Sequence, residues 1–167
     1  MGTSIFFSHS MRDRKWCEWL AADAEKLGIT AYLAEHDPHP GKPLVEKVKR
    51  NIGKCNALVV LMTDSSVSSS YVQQEIGWAL AKKKLVIPLV QPGIPQAELA
   101  MLQGVEYIEF DFHNPRPGKE SLAGELRRLA EIQRKQGELE TLIALGLCVG
   151  ALALLLREGG PTAVPVG

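Results

Sequence analysis

Short apolar runs recur along this chain, and segments with helical periodicity separate them. Two of these runs, Ala57–Met62 and Leu85–Val90, contain no charged residue and have the length of a strand. Strands that are apolar along their whole length are typical of parallel sheets, in which both faces are covered. Because parallel neighbours need a long crossover connection, the intervening segments are predicted to be helices that return the chain across the sheet.

This reading predicts five strands and four helices in alternation. The predicted strands are Ser4–Ser8, Ile29–Leu33, Ala57–Met62, Leu85–Val90 and Val105–Phe110. The predicted helices are Asp13–Leu27, Leu44–Ile52, one that begins at Ser70, and one from Leu122 to about Arg134. The order predicts an α/β fold with a flavodoxin-like, doubly wound, five-stranded parallel sheet, followed by a C-terminal hydrophobic helix.

The length of 167 residues suits one domain with a substantial core and an appendage. We predict a domain over residues 1–135 and a linker over 136–140. A hydrophobic helix over 141–156 and a short tail over 157–167 complete the chain.

Charge and cysteine content exclude several classes of function. Lys and Arg together number 19, as do Asp and Glu, and no basic stripe suits a nucleic-acid backbone. The three cysteines are far apart, which argues against a disulfide framework or a CxxC metal site and fits a reducing compartment. We therefore expect no metal site and no nucleic-acid partner. Because the N-terminus runs almost at once into a predicted strand, we also expect no signal peptide.

The run Thr141–Leu156 is uncharged over sixteen residues and hydrophobic on all sides. It is shorter than the ~20 residues usual for a membrane span, but we expect it to anchor the protein in a membrane. Gly146 and Gly150 have the spacing that lets two membrane helices approach closely. Four basic residues precede the run and only Arg157 follows it, which predicts a cytoplasmic N-terminal domain. A buried helix or a soluble oligomerisation helix is the alternative.

The helix that begins at Ser70 carries an unusually placed carboxylate. Ser70 is predicted to cap it, with Gln73 completing a capping box. Tyr71, Glu75 and Trp78 fall on one stripe, at the edge of an apolar stripe that can pack on the sheet. Glu75 has no Lys or Arg three or four residues later to pair with. It is therefore either a surface residue or a reacting group.

Polar residues converge on one edge of the predicted sheet. The first strand ends at Ser8 and His9, the second runs into Asp37, and the third runs into Asp64. Glu75 lies in the first turns of the next helix, near the same edge. In doubly wound sheets ligands bind outside the carboxyl ends of the strands, so we expect the functional site there.

Several site types do not fit this edge. No glycine occurs in residues 8–14, which excludes a Rossmann dinucleotide fingerprint or a P-loop after the first strand. The same strand end lacks the acidic pair with which a phospho-receiver domain holds its metal. A GxSxG nucleophile elbow is also absent from the sequence.

Three segments together resemble the Toll/interleukin-1 receptor (TIR) domain family, over Ile5 to about Glu109. Phe6–Ser10 (FFSHS) is similar to the first-strand F-I-S-Y motif of the family. Tyr32–Lys42 (YLAEHDPHPGK) is similar to the loop after the second strand, and Tyr71–Ile76 (YVQQEI) resembles the W-x-x-x-E motif. Tyr71 stands where the family more often has Trp. The combination with the element order is specific.

The resemblance implies a microbial enzyme that cleaves NAD+ at the nicotinamide–ribose bond, with NAD+ as substrate and no cofactor. It implies Glu75 as the catalytic residue. The residues that it implies for substrate binding are Ser8, His9, Asp37, Lys42 and Tyr71. A carboxylate near the ribose can stabilise the oxocarbenium character that develops when a glycosidic bond breaks.

Other features of the family are implied as well. Such enzymes become active when their domains self-associate, so other TIR domains are expected partners, in a setting that resembles antiviral defence. The alternative is a non-enzymatic scaffold or adaptor that binds other TIR domains through the loop from Asp37 to Lys42. The glutamate favours the enzyme, because many adaptor domains of the family lack it.

Overall fold

The computed structural model describes the backbone of residues 2–34 and 44–158, and the side chains of residues 2–34 and 45–146. Five strands form one parallel sheet in the order β2-β1-β3-β4-β5. The strands are β1 (Ser4–Ser8), β2 (Thr30–Leu33), β3 (Ala57–Met62), β4 (Leu85–Val90) and β5 (Ile108–Glu109). This order confirms the predicted flavodoxin-like, doubly wound fold.

Five α-helices and two 3-10 helices connect and follow the strands within the described residues. The α-helices are α1 (Arg14–Lys26), α2 (Leu44–Lys54), α3 (Asp64–Val67), α4 (Ser70–Ala81) and α5 (Arg116–Glu158). The 3-10 helices are Met11–Asp13 and Gln96–Leu102. The short helix α3 was not predicted, and β5 is shorter than the predicted Val105–Phe110.

Side chains of successive strand residues point to opposite faces of the sheet, and each face has its own apolar core. Phe7 and Val59 belong to the core that α1 and the first turns of α5 cover. Phe6 and Val60 belong to the other core, which α2 and α4 cover. Every residue of β3 is buried, because both of its faces are covered. Its continuous apolar sequence is the direct consequence.

The chain divides between Ala130 and Glu131 into two compact units, and the division falls within α5. The predicted linker, residues 136–140, is helical. In the C-terminal unit, Arg134 pairs with Glu131 at 2.8 Å and with Glu138 at 2.5 Å, at helical spacings of three and four residues. Such exposed pairs give modest support to a solvated helix.

No helix in the described part of the chain has both the length and the apolar character of a membrane span. The membrane segment predicted at Thr141–Leu156 is therefore not supported. Sixteen residues at about 1.5 Å per residue extend ~24 Å, which is shorter than the ~30 Å hydrocarbon core of a bilayer. From residue 147 onward its side chains lie outside the described residues.

Candidate functional site

The N-cap of helix α4 lies one residue earlier than its sequence pattern indicates. Ser69, not Ser70, is the N-cap, and its Oγ accepts a hydrogen bond from the backbone N–H of Val72 at 3.4 Å. Gln73 donates from Nε2 to the carbonyl oxygen of Val67 at 3.3 Å. The predicted capping box between Ser70 and Gln73 is therefore wrong. The unpredicted helix α3 ends just before α4, so the extended residue between them, Ser69, becomes the cap.

Glu75 lies inside the fold, where α4 packs on β1 and β3. Only 3% of the residue is exposed, and its Oε2 accepts a hydrogen bond from the Oγ of Ser8 at 2.5 Å. Ser8 is the last residue of β1 and is fully buried. The structure thus joins a strand end to a helix that lies 67 residues further along the chain.

The apolar surroundings make Glu75 a weak acid. Its neighbours along α4, Val72 and Ile76, are completely buried. Burial raises the pKa of Glu75 to about 8, because it penalises the charged form, while the hydrogen bond from Ser8 opposes that rise. At neutral pH the carboxyl is therefore mostly protonated in this structure. Acids poised near the working pH are common at reactive sites, although buried structural groups show them too.

Two aromatic residues flank Glu75 on α4, and their exposure differs. Tyr71, one turn before Glu75, is 49% exposed. Trp78, on the next turn, is partly buried, and the Nζ of Lys49 lies 5.3 Å from the centroid of its ring. The predicted stripe therefore runs from the surface at Tyr71 into the interior at Glu75. The sequence pattern places Glu75 at the edge of the buried face of α4, but the structure buries it within that face.

The remaining predicted site residues fall into two groups. His9 is 1% exposed and follows Ser8, and its Nδ1 lies 2.7 Å from the carbonyl oxygen of Ser10. Asp37 and Lys42 lie outside the described residues. Of the predicted residues, the structure thus brings Ser8 and Glu75 into direct contact, places His9 beside Ser8, and leaves Tyr71 at the surface.

A second buried carboxyl lies at the same edge and was missed in the sequence. Asp13 is 8% exposed, and its Oδ2 accepts hydrogen bonds from the Oγ of Ser10 at 2.5 Å and from the Oγ1 of Thr63 at 2.7 Å. It therefore ties the segment after β1 to the segment after β3. The Ser10-x-x-Asp13 spacing is a pattern that could have drawn attention to it.

These two segments also form the walls of a polar cavity of about 430 Å³. The residues that line it are Ser10, Met11, Arg12, Asp64, Ser65, Ser68 and Ser69. Arg12 supplies a cation and Asp64 a carboxylate, while the four serines offer hydroxyl groups. The cavity lies between the carboxyl ends of β1 and β3, where the strand order reverses and ligands of such folds bind. Within the described residues, no group of three or more His, Cys, Asp or Glu side chains could hold a metal ion.

The fold and this edge define a flavodoxin-like α/β protein with a buried carboxyl at the switch point of its sheet. The sequence profile of the TIR domain matches residues 5–127, about three quarters of the chain. The chain therefore belongs to the TIR domain family, as the resemblance predicted. No curated protein matches the sequence.

Solved structures share the fold at low sequence identity. The TIR domain of the Toll-related receptor TRR-2 from Hydra magnipapillata is 20% identical, with a TM-score of 0.59, over 74% of this chain and 97% of that one. The CMP N-glycosidase BcmB from Clostridium botulinum is 18% identical, with a TM-score of 0.54, over 72% of this chain and 99% of that one. At these identities the likeness concerns the fold alone.

Proposed function

We propose that this TIR domain cleaves NAD+ at the nicotinamide–ribose bond, with Glu75 as the catalytic carboxylate. The observation that carries the proposal is the buried carboxyl of Glu75. A carboxyl with its pKa raised to about 8 is costly to ionise, and such perturbed acids cluster at functional sites. Its place on α4, four residues after an aromatic, follows the family motif that the sequence resembles.

The proposed reaction requires one carboxylate of the protein and a water molecule. The bond between the ribose C1′ and the nicotinamide nitrogen breaks, its electron pair leaves with nicotinamide, and positive charge develops on the ribose. Glu75 stabilises that charge in its ionised form, which is the minor form near pH 7 because the pKa is raised to about 8, and it does so in surroundings of low dielectric constant. Water then adds at C1′ and releases one proton, which gives ADP-ribose. The same intermediate can be captured by another hydroxyl, as in cyclised products.

Other features of the site support a dinucleotide substrate. The ring of Tyr71 is half exposed one turn before Glu75 and offers a stacking face to nicotinamide. In the polar cavity, the guanidinium of Arg12 and the N-terminus of α4 can attract a phosphate group. The carboxylate of Asp64, which also lines the cavity, would repel it. His9, Asp37 and Lys42 remain candidates for substrate contacts on the strength of the resemblance.

The shared fold of an N-glycosidase supports the reaction class by analogy only. The enzyme from Clostridium botulinum acts on CMP, so its fold carries cleavage of an N-glycosidic bond in a nucleotide. Since Glu75 is 3% exposed, a substrate reaches it only after the carboxyl is uncovered. We propose that association with further TIR domains accompanies this step, which makes turnover depend steeply on protein concentration.

The direct test is nicotinamide release from NAD+ by the purified chain over a wide range of protein concentration. Glu75→Gln keeps the size of the side chain but cannot ionise, and we expect it to lower the rate at least about 100-fold. Glu25→Gln, at an exposed position on α1, is the matched control and should match the wild type. Equal rates in Glu75→Gln and wild type would exclude Glu75. Self-association without nicotinamide release at any concentration would favour the scaffold function.

A further inference from the structure

We propose that Ser8 contributes to the reaction through Glu75, as the residue that positions its carboxylate, and does not bind the substrate. This inference rests on the proposed catalytic role of Glu75. It changes the role that the family resemblance implies for Ser8, from a substrate contact to a support beneath the reacting group.

The geometry of Ser8 separates the two roles. The residue is fully buried at the end of β1, where it pairs with Val60 of the central strand β3. Its backbone is therefore fixed by the sheet, and its side chain faces α4 on the same side as Phe6. A hydroxyl has one proton to donate, and that of Ser8 goes to Oε2 of Glu75 at 2.5 Å. No donor is left for a ligand.

The hydrogen bond from Ser8 matters because few other groups stabilise the ionised form of Glu75. Burial raises the pKa of Glu75, and the Ser8 hydroxyl is the group that lowers it again. In the described part of the chain, no charged side chain contributes to this balance. His9, which directly follows β1, has its Nδ1 at the carbonyl oxygen of Ser10. Ser8 thus both orients the carboxylate and makes its ionised form less costly.

A direct test follows the carboxyl of Glu75 without reference to catalysis. The full chain, labelled with ¹³C at its glutamate carboxyls, is titrated by NMR, and Glu75→Gln identifies the resonance. In Ser8→Ala we expect the titration midpoint of Glu75 to rise by about 1–2 pH units, because the donor is lost. Ser8→Cys keeps the shape with a weaker donor, so its midpoint should fall between those of Ser8→Ala and the wild type.

Ser10→Ala is the matched control, because it removes a hydroxyl with the same 2.5 Å hydrogen bond to a different buried carboxyl, that of Asp13. It should leave the titration midpoint of Glu75 unchanged.

The turnover of Ser8→Ala is a second test. The variant should have a kcat about tenfold or more lower at pH 7 with little change in KM, and the acid limb of its pH profile should shift to higher pH. A change in KM alone would instead indicate a substrate contact.

The failures of the two proposals have different readouts. No nicotinamide release from the wild type would overturn the proposed function. An unmoved Glu75 midpoint in both Ser8 variants, or an equal shift in Ser10→Ala, would overturn the role of Ser8 even if NAD+ is cleaved. If Ser8→Ala does not fold, the Ser8→Cys titration decides alone.

Discussion

Ser8 and Glu75 form a hydrogen bond of 2.5 Å that joins β1 to α4 inside the fold. Because Glu75 is buried, its ionisation makes the free energy of unfolding depend on pH. The folded protein keeps the proton of Glu75 up to about pH 8, whereas the unfolded chain releases it near the ordinary value of 4.5. Between these pH values folding takes up a proton, so a rise in pH disfavours the folded state. The contribution of Glu75 to the free energy of unfolding is therefore fully present below about pH 4.5 and is lost as the pH rises through about 8.

We therefore predict that Glu75→Gln becomes more stable, relative to the wild type, as the pH rises. Gln cannot ionise, so the variant escapes the cost of a buried charge, and its advantage should grow by on the order of a few kcal/mol between pH 5 and pH 9. The measurement is the free energy of unfolding in urea at several pH values. A difference between the two proteins that is constant over this range would contradict a raised pKa for Glu75.

Tyr71 is predicted to matter for turnover but hardly for folding. Because its ring is 49% exposed, Tyr71→Ala should change the free energy of unfolding by less than about 1 kcal/mol. Loss of a stacking partner for nicotinamide should lower kcat/KM about tenfold. Tyr71→Trp restores the aromatic residue that is more frequent in the family motif and should retain activity. Tyr107, 44% exposed just before the edge strand β5, provides the control variant Tyr107→Ala.

The sequence predicts best where burial on both sides determines the residue type. The bounds of β1, β3 and β4 agree with the prediction, because β3 and β4 are apolar throughout, while Ser4 and Ser8 bound an apolar middle in β1. Edge strand β5 pairs through only two residues, and the apolar residues around it are no guide to that length. Helix α5 begins at Arg116, earlier than predicted, because Pro117 in the first turn looks like a helix breaker but is tolerated there.

The candidate site is predicted less completely. The stripe on α4 and the convergence of strand ends drew attention to Ser8 and Glu75, but neither pattern indicates that they touch. That contact depends on how α4 packs on β1 across 67 residues of chain. Asp13 is hidden in the sequence for the same reason, since its second donor, Thr63, is 50 residues away. Asp37 and Lys42 stay predictions.

Asp13 is predicted to be a structural support for the edge that carries the site. Asp13→Ala leaves the hydroxyls of Ser10 and Thr63 without their shared acceptor in the interior. We expect the free energy of unfolding to fall by about 2–4 kcal/mol. Glu25→Ala, at an exposed carboxylate of α1, should change it by less than about 0.5 kcal/mol. Equal stability of the two variants, measured by urea unfolding, would show that the buried hydroxyls find other partners.

Two glycines of α5 are predicted to respond to the same substitution in opposite directions. A Cβ at Gly118 would lie 2.7 Å from the carbonyl oxygen of Glu109 and 2.9 Å from Cδ2 of Phe110. Phe110 is fully buried, with its ring centroid 5.9 Å from that of Trp16, so neither neighbour can give way freely. Gly118→Ala should therefore destabilise the domain by about 1–3 kcal/mol.

Gly124 is the matched control, six residues further along the same helix, because a Cβ there would meet nothing within 4 Å. Gly124→Ala should stabilise the domain by about 0.5–1 kcal/mol, since alanine loses less backbone entropy than glycine in a helix. Urea unfolding of the two variants beside the wild type measures both effects. Stabilisation by both substitutions would mean that α5 does not pack against β5 and Phe110 as closely as the structure has it.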